Sequence, residues 1–297
     1  MGKALADSTI AQYREQGYAA PIRAVGTDDA RALRRQLEAF EIAQGKPLAG
    51  DQRHKTHLLF TWLDALVRHP AILDAVESVI GPDILCWNSN FFVKEANDPA
   101  FVTFHQDSTY WGLSTPDVVT AWVAFTRSDR TSGCMQVLPG SHGRDQLPHV
   151  DNPQAHNLLT RGQEVAVAVD PSQTVDLELA PGEMSLHHVR LVHGSGPNRS
   201  SDRRIGFAIR YIPTHVRQLN GRDAASLVRG HDAYRHFDPE PRPAADFDAA
   251  ARAAHAAVLA RHTELLMRGS TLTALRCARA DARQSAGRLA RHGVARS

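Results

Sequence analysis

The sequence predicts a mainly β protein with flanking helices, whose core is an antiparallel barrel or jelly roll. From Gly81-Pro82 onward, short runs rich in β-branched and aromatic residues follow one another, separated by Gly, Pro, Asn and Asp. Strands at such short spacing, without helices between them, are typical of antiparallel β architectures. The hydrophobic content of 42% is sufficient for one sizeable core.

Helices are expected on both sides of this core. Residues 1–80 are expected to be helical, because DDARALRRQLEAFEIA and WLDALVRHPAILDAVESVI space their apolar residues three and four apart. The β-core is expected from about 82 to 213, and an Ala-rich helix over 246–267. We therefore predict one domain over 1–240 and a helical extension over 241–297.

The end of that extension is basic. Between 268 and 297, seven arginines against one aspartate give a formal charge of +6. We expect a solvated, frayed or disordered tail here rather than a nucleic-acid contact. The predicted partner of the protein is a small-molecule substrate, with no nucleic acid and no membrane, and the sequence leaves the oligomeric state open.

Cysteine usage and hydropathy predict a cytoplasmic protein. Cys86, Cys134 and Cys277 are scattered and form no CxxC pair, which favours a reducing compartment. The N-terminal stretch has no apolar segment of the kind found in signal peptides. No run approaches the roughly 18 apolar residues of a membrane span.

A candidate metal site lies in the stretch FHQDSTYW. On a strand, His105 and Asp107 face one side and Gln106 faces the other. An imidazole and a carboxylate on one face suit a metal such as Fe(II). The same His-x-Asp spacing recurs at His149 and His236, but in loop-like, proline-flanked sequence where surface residues are expected. Only the first triplet lies in β-type sequence with a third ligand downstream.

That third ligand is His193, in VRLVHGSGPN. A turn follows, and an antiparallel strand is expected to return from Arg203 onward. On that strand, alternation places Arg204, Gly206, Ala208 and Arg210 on one face. Two arginines separated by the two smallest side chains leave room for an anionic ligand.

Two histidines and one aspartate occupy three positions of an octahedral metal and leave three positions open. A 2-oxo acid can take two of them and O₂ the third. We expect Arg204 to hold the distant carboxylate of that acid through a bidentate contact. Ser195 shares a face with His193 if the strand is regular, and adds a hydroxyl donor.

With these residues the chain resembles the phytanoyl-CoA dioxygenase family of Fe(II)/2-oxoglutarate oxygenases, over roughly 10–215. The resemblance rests on HQD, AWVAF, GCMQVLPGSHG, HGSGPN and the following Arg204. It implies a double-stranded β-helix core of the jelly-roll or cupin-like type, and Fe(II), 2-oxoglutarate and O₂ as cofactor and co-substrates. It also implies cofactor contacts from the following residues: Gln106, Trp122, Ser195 and, less strongly, Asn90.

The predicted activity is hydroxylation of an unactivated C–H bond, with release of succinate and CO₂. Halogenating members of the family carry a small residue in place of the metal carboxylate, so Asp107 argues against halogenation. Desaturation and ring closure stay open, as does the substrate itself. Two alternatives are a cupin-type metal enzyme that does not use 2-oxoglutarate and a jelly-roll protein that binds a ligand without turnover.

Five further residues are candidates for the substrate pocket: Arg210, His187, His188, Tyr110 and Trp111. Arg210 is expected either to grip a substrate anion or to form an ion pair at the barrel rim. Strand alternation favours His187, whereas the sequence offset within the family favours His188. Tyr110 and Trp111 are expected to wall the pocket or to belong to the core. Lys94 is expected at the surface.

Overall fold

A computed structural model describes residues 5–109, 111–152, 154–159 and 162–267. Its α-helices are α1 Asp7–Gln16, α2 Thr27–Gln44, α3 Thr61–Val67, α4 Pro70–Ile80 and α5 Ala249–Met267. Its strands are β1 Tyr18–Arg23, β2 Ile84–Lys94, β3 Val102–His105, β4 Val119–Ala124, β5 Met135–Val137, β6 His149–Asp151, β7 Gln163–Val165, β8 Val175–Leu177, β9 Glu183–His188, β10 His193–Ser195, β11 Arg204–Pro213, β12 Ala224–Arg229 and β13 Asp238–Pro239.

Two sheets enclose the centre of the molecule. The larger sheet has the order β1-β9-β4-β11-β2-β12-β13, and the smaller has the order β3-β10-β5-β8. The named strands of these two sheets pair antiparallel, except that β12 and β13 are parallel. Strands β6 and β7 form a separate hairpin. The prediction of a mainly β, jelly-roll core with flanking helices is confirmed.

The two faces of β11 follow the predicted alternation. Ile205, Phe207, Ile209 and Tyr211 belong to the main hydrophobic cluster, together with side chains of α2, α3 and α4. The N-terminal helices therefore cover the outer face of the larger sheet. The opposite face of β11 points between the two sheets, where the cavity described below lies.

One strand interrupts the N-terminal region that was predicted to be helical. Residues Tyr18–Arg23 form β1, which pairs with β9 at the edge of the larger sheet. Gly17, with φ 81°, ends α1 in the left-handed conformation. Pro21 disfavours a helix here, and an edge strand tolerates its missing N–H group. The larger sheet also extends past residue 213, through β12 and β13.

The predicted hairpin between His193 and Arg204 is wrong. Strand β10 pairs with β3 and β5, whereas β11 pairs with β2 and β4, so the chain crosses from one sheet to the other. Asn198 holds this crossover, because its side-chain amide donates to the carbonyls of Glu95 and Asp202, both at 2.8 Å. His193 and Arg204 consequently lie on different sheets, and both line the cavity between them.

The C-terminal segment packs against the same core. His262 of α5 contacts the carboxylate of Asp223 at 2.8 Å, and Glu240 forms an ion pair with Lys55 at 2.6 Å. A domain boundary at 240 stays a prediction, and the basic tail from 268 to 297 lies outside the described residues. Within the described ranges, no helix has the length and apolarity needed to cross a membrane.

Candidate metal centre

Three potential metal ligands converge at the end of β3. His105 is the last residue of β3 and lies directly opposite His193, the first residue of β10. The two ring centroids are 4.2 Å apart. Asp107 opens a short 3-10 turn rather than continuing the strand as predicted, but its Oδ1 lies 3.3 Å from His105 Nε2. Ligand atoms of the three residues all lie within 4.8 Å of one another.

The tautomers of both histidines follow from their backbone contacts. Nδ1 of His105 donates to the Thr103 carbonyl, and Nδ1 of His193 donates to the Leu191 carbonyl, each at 2.9 Å. Each neutral imidazole then presents the lone pair of Nε2 to the interior. Burial lowers the pKa of His193 to about 4, which keeps this ring neutral and able to bind a metal near pH 7.

The donor set fits a cation. Asp107 is 4% exposed, and its Oδ2 has no hydrogen-bond partner among the described residues. Burial raises the pKa of this carboxyl, but contact with His105 and the charge of Arg210 outweigh burial and hold the pKa below its usual range. A carboxylate and two imidazole lone pairs repel one another in so small a buried space unless a cation lies among them. Two histidines and one carboxylate are the facial ligand set of non-haem Fe(II).

Two buried basic side chains lie next to each other further along: Arg204 lines the same cavity, and Lys94 is its neighbour on the paired strand. Arg204 is 2% exposed, and its guanidinium donates to the Gly133 carbonyl and lies 5.1 Å from the centroid of the Trp122 ring. Lys94 is fully buried, and its Nζ donates to the Ser195 hydroxyl at 2.7 Å. Burial lowers the pKa of Arg204 to about 10, and burial together with the charge of Arg204 lowers the pKa of Lys94 to about 6.

The acceptors that the described residues offer to these two basic side chains are uncharged. They are the Ser195 hydroxyl and the carbonyls of Gly133 and Gly196. Nε of Arg204 has no acceptor in the described part of the chain. The lowered pKa values of both side chains reflect the cost of hiding two adjacent positive charges from water. A bound anion would offset that cost and favour the charged form of Lys94, so this end of the cavity fits an anion.

Trp122 explains one of the small residues on β11. A Cβ added to Gly206 would lie 1.8 Å from Cζ2 of the Trp122 indole. The glycine therefore makes room for the indole, which was not foreseen, whereas Ala208 lines the cavity. The cavity encloses about 430 Å³ of empty space, part of it open to solvent. It is lined by the triad, Ser195, Arg204, Trp122, Arg210 and His187, among others.

Comparison with known proteins identifies the family. A family model described as phytanoyl-CoA dioxygenase matches residues 3–206, more than half of the chain. The chain belongs to the phytanoyl-CoA dioxygenase family.

Curated relatives of this family member include two oxygenases. A probable alpha-ketoglutarate-dependent hypophosphite dioxygenase of Stutzerimonas stutzeri is 33% identical over 167 residues, 56% of this chain and 58% of the relative. The peroxisomal phytanoyl-CoA dioxygenase of Rattus norvegicus is 27% identical over 223 residues, 67% of this chain and 66% of the relative. The chain thus spans between about half and two thirds of the length of these relatives.

Solved structures of two other proteins are similar to this chain. The non-heme monooxygenase ThoJ in its apo form is 36% identical, with a TM-score of 0.77 over 87% of this chain and 97% of that chain. CytC3 with Fe(II) and alpha-ketoglutarate is 24% identical, with a TM-score of 0.62 over 84% and 98%. The latter likeness shows the fold alone.

Gln106 and His188 are among the predicted site residues of this phytanoyl-CoA dioxygenase family member that do not line the cavity. Gln106 is fully buried, but its amide donates to the Arg190 carbonyl at 2.7 Å and accepts from the Leu147 N–H at 2.8 Å. It braces the backbone between two triad residues and is not among the lining residues. His188 points to the other side of β9, where its ring packs against Tyr13 and His142.

The remaining predicted residues are placed as follows. His187 lines the cavity, as alternation indicated. Asn90 lies on the inner side of the larger sheet opposite Ala208, without lining the cavity. Trp111 is 5% exposed and packs on Trp87 with ring centroids 5.0 Å apart, beneath Arg210. Tyr110 lies outside the described residues.

Three residues of the site were missed or misjudged from sequence. Lys94 was expected at the surface but is buried beside Arg204. Its burial could have been predicted from strand alternation, which places Lys94 on the same face of β2 as Asn90 and Phe92. Thr120 lines the cavity. His149, expected to be a surface residue, accepts the Gln106 N–H at 2.9 Å through Nε2 and so supports the triad segment.

Proposed function

We propose that this protein is an Fe(II)- and 2-oxoglutarate-dependent oxygenase that hydroxylates an unactivated C–H bond of a small molecule. The substrate R–H, 2-oxoglutarate and O₂ give R–OH, succinate and CO₂. The observation that carries the proposal is one cavity lined by three buried metal-type ligands and by Arg204, with the buried Lys94 next to Arg204 and no negative partner for either side chain among the described residues.

The triad would hold the metal. His105, His193 and Asp107 would each supply one ligand, and the backbone bonds from Nδ1 keep both imidazoles oriented towards the ion. Iron bound there supplies O₂ activation coupled to the oxidative decarboxylation of 2-oxoglutarate. Asp107 takes the position that a halide would need, so we propose hydroxylation rather than halogenation. Desaturation or ring closure would require the same residues.

The buried cations would hold the co-substrate. Arg204 and Lys94 would bind the distal carboxylate of 2-oxoglutarate, which removes the cost of burying their charges together. Ser195, already in contact with Lys94 Nζ, can donate its hydroxyl proton to the same carboxylate. Trp122 keeps the guanidinium of Arg204 in place through its ring face and excludes water from it.

Succinate formation tests this proposal. Purified protein with Fe(II), 2-oxoglutarate and O₂ should release succinate slowly without added substrate. His105→Ala should abolish the release, whereas His236→Ala, the same change in another His-x-Asp triplet, should not. If Arg204→Ala leaves metal-dependent activity intact, the protein is a cupin-type enzyme that does not use 2-oxoglutarate. If the parent forms no succinate and shows no visible charge-transfer band with Fe(II) and 2-oxoglutarate under anaerobic conditions, the oxygenase proposal fails.

The setting of the reaction is part of the same proposal. We propose a cytoplasmic location, supported by the scattered cysteines, of which Cys86 and Cys134 are free and buried. A small-molecule substrate is supported by the limited size of the cavity.

A further inference from the structure

A row of four polar side chains crosses the larger sheet at the end of the cavity opposite Arg204. In the strand register, Arg210 of β11 lies opposite Asn88 of β2 and Thr120 of β4, and Thr120 lies opposite His187 of β9. All four are less than 8% exposed. Arg210, Thr120 and His187 line the cavity that also holds the triad.

This row has hydrogen-bonding capacity that the protein does not use. Asn88 Oδ1, Thr120 Oγ1 and His187 Nδ1 are buried without a hydrogen-bond partner among the described residues. Buried polar atoms are normally paired, and leaving them unpaired costs free energy. Three such atoms in one register row, beside a cavity, are expected where a polar ligand completes the bonding.

Aromatic faces orient the guanidinium of Arg210 in this row. Its central carbon lies 5.4 Å from the ring centroid of Trp111 and 5.9 Å from that of Phe92. Stacked arginines keep their positive charge and their flat array of donors, a geometry that matches carboxylate and phosphonate groups. Arg210 lines the same cavity as Asp107, and its positive charge is one of the causes that lower the pKa of that carboxyl.

The two arginines of β11 divide the cavity. Arg204 and Arg210 are six residues apart, roughly 20 Å along an extended strand, with the triad on the opposing sheet. In the proposed reaction the co-substrate anion occupies the end with Arg204 and Lys94. A substrate that binds at the opposite end of the cavity would therefore contact Arg210.

We propose that the primary substrate is a small organic oxyanion, a carboxylate or phosphonate, whose charged group is bound by Arg210 and Thr120. His187, which also lines the cavity, adds a hydrogen bond to that molecule. Because Arg210 and the triad line one cavity, a molecule held at Arg210 would extend towards the triad. This inference rests on the proposed oxygenase function, because it assigns Arg210 to the substrate of that reaction.

The first experiment uses defined anions on the parent protein, loaded with Fe(II) and saturating 2-oxoglutarate. The probes are monocarboxylates of increasing chain length, methylphosphonate, and the primary amides of the same carboxylates. Succinate release is measured in air, and the visible charge-transfer band of the anaerobic complex is followed as each probe is added. Anions should change at least one readout in a saturable way, and each amide should bind at least about 30-fold more weakly.

The second experiment separates binding by Arg210 from support of Asp107. Arg210→Gln should remove the discrimination between carboxylate and amide, and Arg210→Lys should keep it in part. Equal losses for both probes in Arg210→Gln would mean that Arg210 only positions Asp107, and would overturn the inference. Arg31→Gln, at an exposed site on α2, is the control for loss of an arginine, and thermal unfolding verifies that each variant folds.

The outcomes for inference and function are distinct. If the parent shows the band with 2-oxoglutarate but no anion perturbs it or raises succinate release, the oxyanion inference is wrong and the oxygenase function stands. The same holds if amides act as well as their carboxylates. If the parent protein shows no charge-transfer band with Fe(II) and 2-oxoglutarate, the proposed oxygenase function itself is contradicted.

Discussion

Replacing Gly206 with alanine tests how the co-substrate end of the cavity is built. The new Cβ would lie 1.8 Å from Cζ2 and 2.3 Å from Cε2 of Trp122, whereas ordinary contacts begin at 3.4 Å. The indole must therefore move by about 1.6 Å or more. Trp122 is 4% exposed and lies in a closely packed cluster, so the direction open to it is towards the cavity and Arg204.

Two effects of this displacement are expected. Overpacking of this kind destabilises a protein by about 1–3 kcal/mol, which thermal unfolding detects as a Tm lowered by several degrees. The displaced indole also disturbs the guanidinium of Arg204, so KM for 2-oxoglutarate should rise. Gly143→Ala is the matched control, because nothing lies within 4 Å of its added Cβ. A Gly206→Ala variant with the Tm and KM of that control would refute the reasoning.

Three further predictions concern other contacts. Gln106→Leu should weaken Fe(II) binding by about 10- to 100-fold, because the amide braces the triad segment. The KM for 2-oxoglutarate should stay unchanged. A change confined to this KM would instead support the contact between Gln106 and the cofactor that the sequence predicted. Lys94→Met should raise KM for 2-oxoglutarate at least about tenfold, measured by succinate release, and an unchanged KM would remove Lys94 from the co-substrate site. Glu240→Gln should lower the free energy of unfolding by about 3 kcal/mol in urea at pH 7, because it leaves Lys55 buried without its carboxylate. Burial raises the pKa of Glu240, but Lys55 and His57 outweigh it and lower that pKa from 4.5 to about 2. The stabilisation is therefore present above pH 4.5 and lost as the pH falls towards 2, and the difference between parent and variant should shrink over that range; a constant difference would contradict the assignment.

The strand pattern made the triad predictable, but for a reason that was partly wrong. His105 and Asp107 were expected to share a strand face, whereas β3 ends at His105 and Asp107 lies in a 3-10 turn. They still meet because a turn at that point brings the carboxylate back towards the imidazole. The prediction of the triad was correct because of the residue types and their order along the chain. The strand alternation that was used to support it does not occur at Asp107.

Partners across sheets could not be predicted from local sequence. The turn-like stretch Gly196-Pro197-Asn198 is typical of a hairpin. In the structure, however, the Asn198 amide donates to the carbonyls of Glu95 and Asp202, and the chain continues into the other sheet. Alternation could have placed Lys94 on the inner strand face, but its position opposite Arg204 on the paired strand could not be predicted. Such pairings depend on long-range register, which a single sequence does not contain.

The direct test of the central claim is the anaerobic titration of the protein with Fe(II) in the presence of 2-oxoglutarate. We predict a visible charge-transfer band that requires both components, saturates at one Fe(II) per chain, and disappears in His193→Ala and Arg204→Ala. A band that persists in His193→Ala, or no band in the folded parent protein, would contradict the assignment of the triad as the metal site.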